Sequence, residues 1–176
     1  MSEAPITVRQ IAAHEAAACI EPLADVLIDC VEGGASVSFM LPLSRGTALA
    51  FWRSVAEGVE RGERLLLLAE DESGRIVGTV QLILAQPENQ PHRADVAKML
   101  VRRSARRRGI AQHLMAAVDD AAREHGKTLL VLDTVTGGDA ERLYQRSGWQ
   151  RVGSVPNYAL WPTGGLCATT YFYKQI

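Results

Sequence analysis

KMLVRRSARRRGIAQHLM, residues 98–115, is the stretch from which the rest of this chain can be read. It opens on the end of an apolar run, carries five arginines between 102 and 108, and closes on apolar residues at helical spacing. The pattern predicts a strand end, a basic turn and an amphipathic helix from Gly109 to about His125, with Ile110, Leu114, Val118 and Ala121 buried. The first turn of any helix leaves backbone amides without partners, and the helix dipole adds partial positive charge there. Small residues at Gly109 and Ala111 let an anion approach those amides. R-x-x-G-x-A (Arg106, Gly109, Ala111) on a strand-to-helix turn therefore reads as an anion site suited to phosphate. The spacing matches neither G-x-x-x-x-G-K-[ST] nor G-x-G-x-x-G with a downstream acid. A solvated or nucleic-acid-binding surface is the competing reading of the arginine run. The chain as a whole carries 19 Lys and Arg against 20 Asp and Glu, for a formal charge of −1. A protein that neutralises many phosphates is expected to be basic throughout, so a small phosphate-bearing ligand is favoured over nucleic acid.

Working outward, residues 93–101 and 128–133 (TLLVLD) read as strands on either side of this helix. A crossover that long makes the pair parallel. Upstream, 4–11 reads as a first strand, and a helix starts at Pro22, where a first-turn position tolerates proline. Gly33-Gly34 stops it, 35–43 is an apolar loop, and Ser44 caps a helix ending near Gly62. Arg64–Glu70 and Arg75–Leu84 flank a DESG turn and read as antiparallel strands. Downstream come a short helix at 139–147 and strands at 149–155 and 166–174. The expectation is one α/β domain over 1–176: a mixed, mostly antiparallel sheet with helices on both faces, whose two parallel central strands splay apart.

Composition agrees. At 47% hydrophobic and 22% charged residues, 176 residues suffice for a core without disulfides or a structural metal. Cys19, Cys30 and Cys167 form no C-x-x-C pair, so we expect reduced thiols in a cytoplasmic protein with no metal. The start, MSEAPITVRQ, lacks the basic and apolar regions of a signal peptide, and no run is long enough to span a bilayer. The expected protein meets neither membrane nor nucleic acid. The apolar loop 35–43 and the C-terminal strand are candidate surfaces for a homodimer.

L-V-x-x-x-x-R-x-x-G-x-A across the strand-to-helix turn resembles the acetyl-coenzyme A signature of the GCN5-related N-acetyltransferases (GNAT). A second segment, A-x-x-x-Y-x-x-x-G-W from Ala140 through Tyr144 to Gly148-Trp149, resembles the same family, and the element order agrees over the whole chain. More loosely, EGGASVSFM (32–40), LDT (132–134) and the terminal YFYK resemble the tabtoxin resistance acetyltransferase and its relatives, which implies a small-molecule amine acceptor, a toxin or antibiotic among the candidates. The resemblance implies that Met99, Leu100 and Val101 pair their backbone with the pantetheine arm of acetyl-CoA. It implies that Arg107, Arg108, Gly109, Ile110, Ala111 and Gln112 surround the pyrophosphate, and that Tyr144 protonates the leaving thiolate. One departure is Gly137, where family members often carry Asn; either a side-chain contact to the cofactor is missing, or Thr134 or Asp139 supplies it. A non-catalytic acyl-CoA-binding protein is the alternative that this departure leaves open.

Acetyl transfer to an amine also needs a base, because an ammonium with a pKa near about 10.4 must lose a proton before attack. Asp95 is one candidate, on a strand expected to place it on the same face as Ala97, Met99 and Val101. A bond to Arg93 or His92 would be a sufficient structural reason for it. Asp133, at the carboxyl end of TLLVLD, is the other candidate, with turn capping as its structural alternative. Phe39, Met40, Trp52 and Trp161 are candidate acceptor-pocket residues, although a Trp on a helix stripe is usually core. Loops 33–43 and 155–166 are where acceptor contacts are expected.

Overall fold

The computed structural model describes residues 5–176, so the start of the strand expected at 4–11 lies outside the described residues. The chain runs β1 (Thr7–Gln10), a 3-10 segment (Ala13–Cys19), α1 (Ile20–Glu32), α2 (Arg45–Glu60), β2 (Arg64–Glu70), β3 (Ile76–Ile83) and β4 (Arg93–Val101). It continues through α3 (Ile110–Glu124), β5 (Leu129–Val135), α4 (Asp139–Arg146), β6 (Gln150–Leu160) and β7 (Leu166–Gln175). The seven strands form one sheet in the order β1-β2-β3-β4-β5-β7-β6. Among the described strands, only β4 and β5 run parallel. Their pairing is confined to Arg93–Asp95 against Leu129–Val131, after which the strands part. The expected α/β sheet with a splayed parallel pair is what the chain forms.

Helices cover both faces, and two apolar clusters result. On one side, Ile110, Leu114 and Val118 of α3 and Tyr144 of α4 pack on Val80, Leu82, Leu130 and Phe172 of the sheet. On the other, Leu27 and Val31 of α1 and Trp52 and Val55 of α2 pack on Leu66, Leu68 and Leu100. Each such buried side chain contributes roughly 1.5–3 kcal/mol. α3 sits tight on β3 because Gly78 has no side chain: a Cβ there would lie 3.1 Å from Ile110 Cγ2 and 3.2 Å from the Leu100 carbonyl.

Three local features differ from the sequence reading. α1 starts two residues before Pro22, which occupies the first turn, where its missing amide has no helical acceptor anyway. β6 extends to Leu160 rather than ending at 155, because a register shift between Val155 and Ala159, with Asn157 at φ 53°, carries Pro156 past the ladder. The segment expected to be a loop from 155 is therefore strand as far as 160. β6 is also a sheet edge, and β7 is paired on both sides.

The third difference matters most. The β3–β4 register jumps from Gln81↔Ala97 to Thr79↔Leu100, so Val80 faces both Lys98 and Met99. Lys98 is the extra residue of a β-bulge, in the left-handed region at φ 52°. A bulge reverses side-chain alternation beyond it. Ala94 and Val96 face α3 before the bulge and Met99 and Val101 face it after, while Leu100 faces α1 and α2. Asp95 is thus on the opposite face from Met99 and Val101. The expectation that they share a face is corrected.

Candidate active site

Where β4 and β5 part, a cleft of about 1020 Å³ opens between the sheet, α3, α4 and the 33–38 loop. Met99, Leu100 and Val101 line it, past the last residue of β4 that β5 pairs. At its far end stands the start of α3. Arg107 (φ 64°) and Gly109 (φ 71°) turn the chain sharply into the helix. The amides of Ile110, Ala111 and Gln112 precede that of His113, which donates to the Gly109 carbonyl at 3.1 Å and begins the helical ladder. All three residues line the cleft, with Arg106 and Arg107 beside them; Arg108 does not line it. Space above Gly109 is open, since the nearest atom to a Cβ there would be His113 Cε1 at 3.9 Å. An extended arm with a phosphate at one end matches this shape: free strand edge, then helix amides and arginines.

The rest of the basic run is absorbed by the fold. Arg102 is buried and donates through Nε to the Ile76 carbonyl at 3.0 Å. Arg103 bonds Asp29 through its amide (2.8 Å) and Nε (3.0 Å). Both are tied to partners elsewhere in the fold, and neither lines the cleft.

Tyr144 lines the same cleft and is 5% exposed. Its ring packs against Trp149 (centroids 5.9 Å) and Phe172 (6.0 Å), so it belongs to the core as well as to the cleft. Burial, reinforced by the negative charge of Asp133, pushes its hydroxyl above the usual tyrosine range and keeps it protonated. α4 is held from below by Lys174, which pairs with Asp119 of α3 and donates to the Ser147 carbonyl at 2.9 Å. Gly137, in the left-handed region at φ 81°, makes the turn from β5 into α4. Thr134 and Asp139 both line the cleft nearby.

The opposite side of the splay is open and polar. Asp133 is exposed and accepts from Thr169 Oγ1 at 2.7 Å. Asp95 occupies the same face one strand over, beside a smaller hollow that Asp133 and Tyr171 share. Asp95 pairs with Arg93 and accepts from Gln86 Nε2 at 3.1 Å, which supplies the structural reason expected for it. Tyr171 and Tyr158 share a hydrogen bond of 2.9 Å; that bond, then burial, pushes Tyr171 up to about 12. Of the aromatic and apolar candidates, Trp161 lines the large cleft; Trp52 is core and Phe39 packs on Phe51. Cys30 and Cys167, outside both motif segments, also line it. The Cys30 thiol donates to the Val101 carbonyl at 3.4 Å, and burial raises its pKa.

Lys98 is the residue that reading by motif missed. It belongs to neither motif, yet the bulge turns its side chain into the cleft beside Ser38.

Residues 39–149 match the family model described as Acetyltransferase (GNAT) family. The chain belongs to that family. Among relatives, an uncharacterized N-acetyltransferase in the hisH-hisA intergenic region of Azospirillum brasilense is 30% identical over 116 residues, 65% of this chain and 67% of its own. Among solved structures, a GNAT superfamily phosphinothricin acetyltransferase from Sinorhizobium meliloti in complex with acetyl-CoA superposes with TM-score 0.78 at 14% identity, covering 97% of this chain and 88% of that one. A ribosomal-protein-alanine N-acetyltransferase from Brucella melitensis superposes with TM-score 0.75 at 22% identity, covering 97% and 99%. These likenesses establish the GNAT fold. Their names already differ in acceptor.

Proposed function

We propose that this GNAT acetyltransferase uses acetyl-CoA as co-substrate and moves the acetyl group directly to a primary amine of a small molecule, in the cytoplasm. The observation that carries the reading is the single cleft joining the α3 amides, the free edge of β4 and a protonated Tyr144. The co-substrate supplies an activated acetyl thioester. Arg107 and the amides of Gly109, Ile110, Ala111 and Gln112 hold its phosphates, with Arg108 completing the turn. The backbone of Met99, Leu100 and Val101 pairs with its extended arm.

In the transfer, the amine nitrogen forms a bond to the acetyl carbon and the carbon–sulfur bond breaks. The Met99 amide, at the bulge, donates to the carbonyl oxygen as negative charge gathers there. Tyr144 gives its proton to the departing sulfur, whose reference pKa of about 8.5 lies below that of the hydroxyl. Asp133, directly or through one water, takes the proton of the acceptor ammonium. Asp95, held by Arg93 and Gln86, supports the same face structurally. A protonated Cys30 bonded to a carbonyl argues against an acyl-cysteine route.

A screen of small amines, following thiol release, tests the reading. Turnover with at least one primary amine is expected. Tight acetyl-CoA binding without turnover on any amine would instead favour an acyl-CoA-binding protein, and a stable acetyl-cysteine by mass spectrometry would overturn direct transfer.

A further inference from the structure

The acceptor side of the cleft carries two opposite charges that do not meet. Lys98 projects from the β4 bulge toward the α1–α2 face, where its Nζ donates to Ser38 Oγ at 3.0 Å and lies 5.9 Å from the Phe51 ring centre. Among the described residues it forms no ion pair, although 14 such pairs occur elsewhere. Among the described residues Asp133 also has no cationic partner within ion-pair distance; its hydrogen bond goes to Thr169. The two lie close enough that Asp133 opposes the fall in the Lys98 pKa which burial causes. Both line the same cleft.

Lys98 is also remote in direction from the phosphate cradle. The bulge sends it to the face of Ser38 and Phe51, while Met99 and Val101 face the helix whose first turn forms the cradle. Its charge is therefore spare with respect to the co-substrate. A half-buried ammonium held by one neutral hydroxyl is poorly compensated, and an anion delivered by the acceptor would complete it. Resting on the acetyltransferase reading above, we propose that Lys98 is a specificity-determining residue that binds a carboxylate on the acceptor, so that the acceptor is a zwitterionic amino-acid-like amine. The ammonium end sits at Asp133 and the carboxylate end at Lys98. Ser38 positions the lysine, and Phe51 keeps water from its flank.

The test uses matched triplets of L-amino acids, their carboxamides and their decarboxylated amines, assayed with the full chain and acetyl-CoA by thiol release. In every triplet that turns over, the acid should exceed the amide and the amine in kcat/KM by about 10–10²-fold, the usual range for a charge-assisted hydrogen bond. Lys98→Met should collapse that preference, mainly through KM for the acid, and Lys98→Arg should restore most of it. Ser38→Ala, further from the backbone bulge, should weaken the preference by a smaller factor, which guards against a Lys98 variant that folds poorly. Equal rates within the triplets, preference for the decarboxylated amine, or a Lys98→Met loss shared alike by all three forms would each overturn the proposal while leaving the acetyltransferase reading intact. Silence from every amine despite bound acetyl-CoA would overturn that reading and this proposal together.

Discussion

Tyr144→Phe separates chemistry from packing more cleanly than any other change in this cleft. The ring is 5% exposed and makes its contacts through its faces and edges, with Trp149 at 5.9 Å and Phe172 at 6.0 Å. Phenylalanine keeps those contacts, so the melting temperature should move little, and acetyl-CoA affinity should hold within a few-fold. Only the proton donor goes. General acid catalysis is worth about 10²–10⁴-fold, which is roughly 3–5.5 kcal/mol of barrier. Single-turnover thiol release should slow by that factor. Because burial and the Asp133 charge hold the wild-type hydroxyl above its ordinary value, the donor stays protonated as pH rises, and the wild-type rate should show no alkaline loss from it below about pH 10. Tyr144→Ala, by contrast, should cost about 3–5 kcal/mol of stability through the cavity it leaves. A Tyr144→Phe enzyme within about threefold of wild type would refute the proton-donor role, since no general-acid contribution of the usual size could then remain.

Asp133→Asn should lose rate most at low pH, where free amine is scarcest, and recover in part as pH rises; a uniform loss across pH would argue against it as base. Asp95→Asn should leave the shape of the pH–rate profile unchanged and lower stability by no more than about 1 kcal/mol, as expected for a partly exposed pair with Arg93. Arg102→Ala should lower the melting temperature by removing a charged bond to the Ile76 carbonyl, a loss of about 1.5–3 kcal/mol, while coenzyme A affinity measured by calorimetry stays near wild type.

Much of the architecture was open to reading because its signals are local. The helix period from Ile110 to Ala121, the glycine at 109 and the apolar runs on either side specify a strand, a turn and a helix whatever surrounds them. The parallel pairing of β4 and β5 followed from the length of the crossover. The sharp errors share a different cause: each depends on how two strands register, which no single segment records. The bulge at Lys98 adds one residue to β4 and reverses its alternation, so Asp95 fell on the wrong face and Lys98 went unnoticed. A signal was present in RADVAKMLV, where Asp95 and Lys98 are three apart. Strict alternation would have buried one of those charges against an apolar helix, and an inserted residue removes the conflict. β6 ran past Pro156 for the same reason, with an irregular register carrying a residue that cannot donate to the ladder. The fates of Arg102 and Arg103 were illegible because their partners, Ile76 and Asp29, come from distant segments.

Calorimetric titration of acetyl-CoA into wild type, Gly109→Ala and Gly109→Glu tests the central claim most directly. Both substitutions place a side chain at φ 71°, with open space around the new Cβ. Each should therefore carry a similar strain of about 1–2 kcal/mol, visible as matching drops in melting temperature. Only the glutamate also puts a carboxylate against the α3 amides. The account predicts one binding site in wild type, measurable binding in Gly109→Ala, and a loss of at least about 10²-fold in Gly109→Glu, the effect of replacing a charge-assisted contact by like-charge repulsion. Equal affinity in Gly109→Ala and Gly109→Glu would contradict it, and would place the co-substrate phosphates somewhere other than the start of α3.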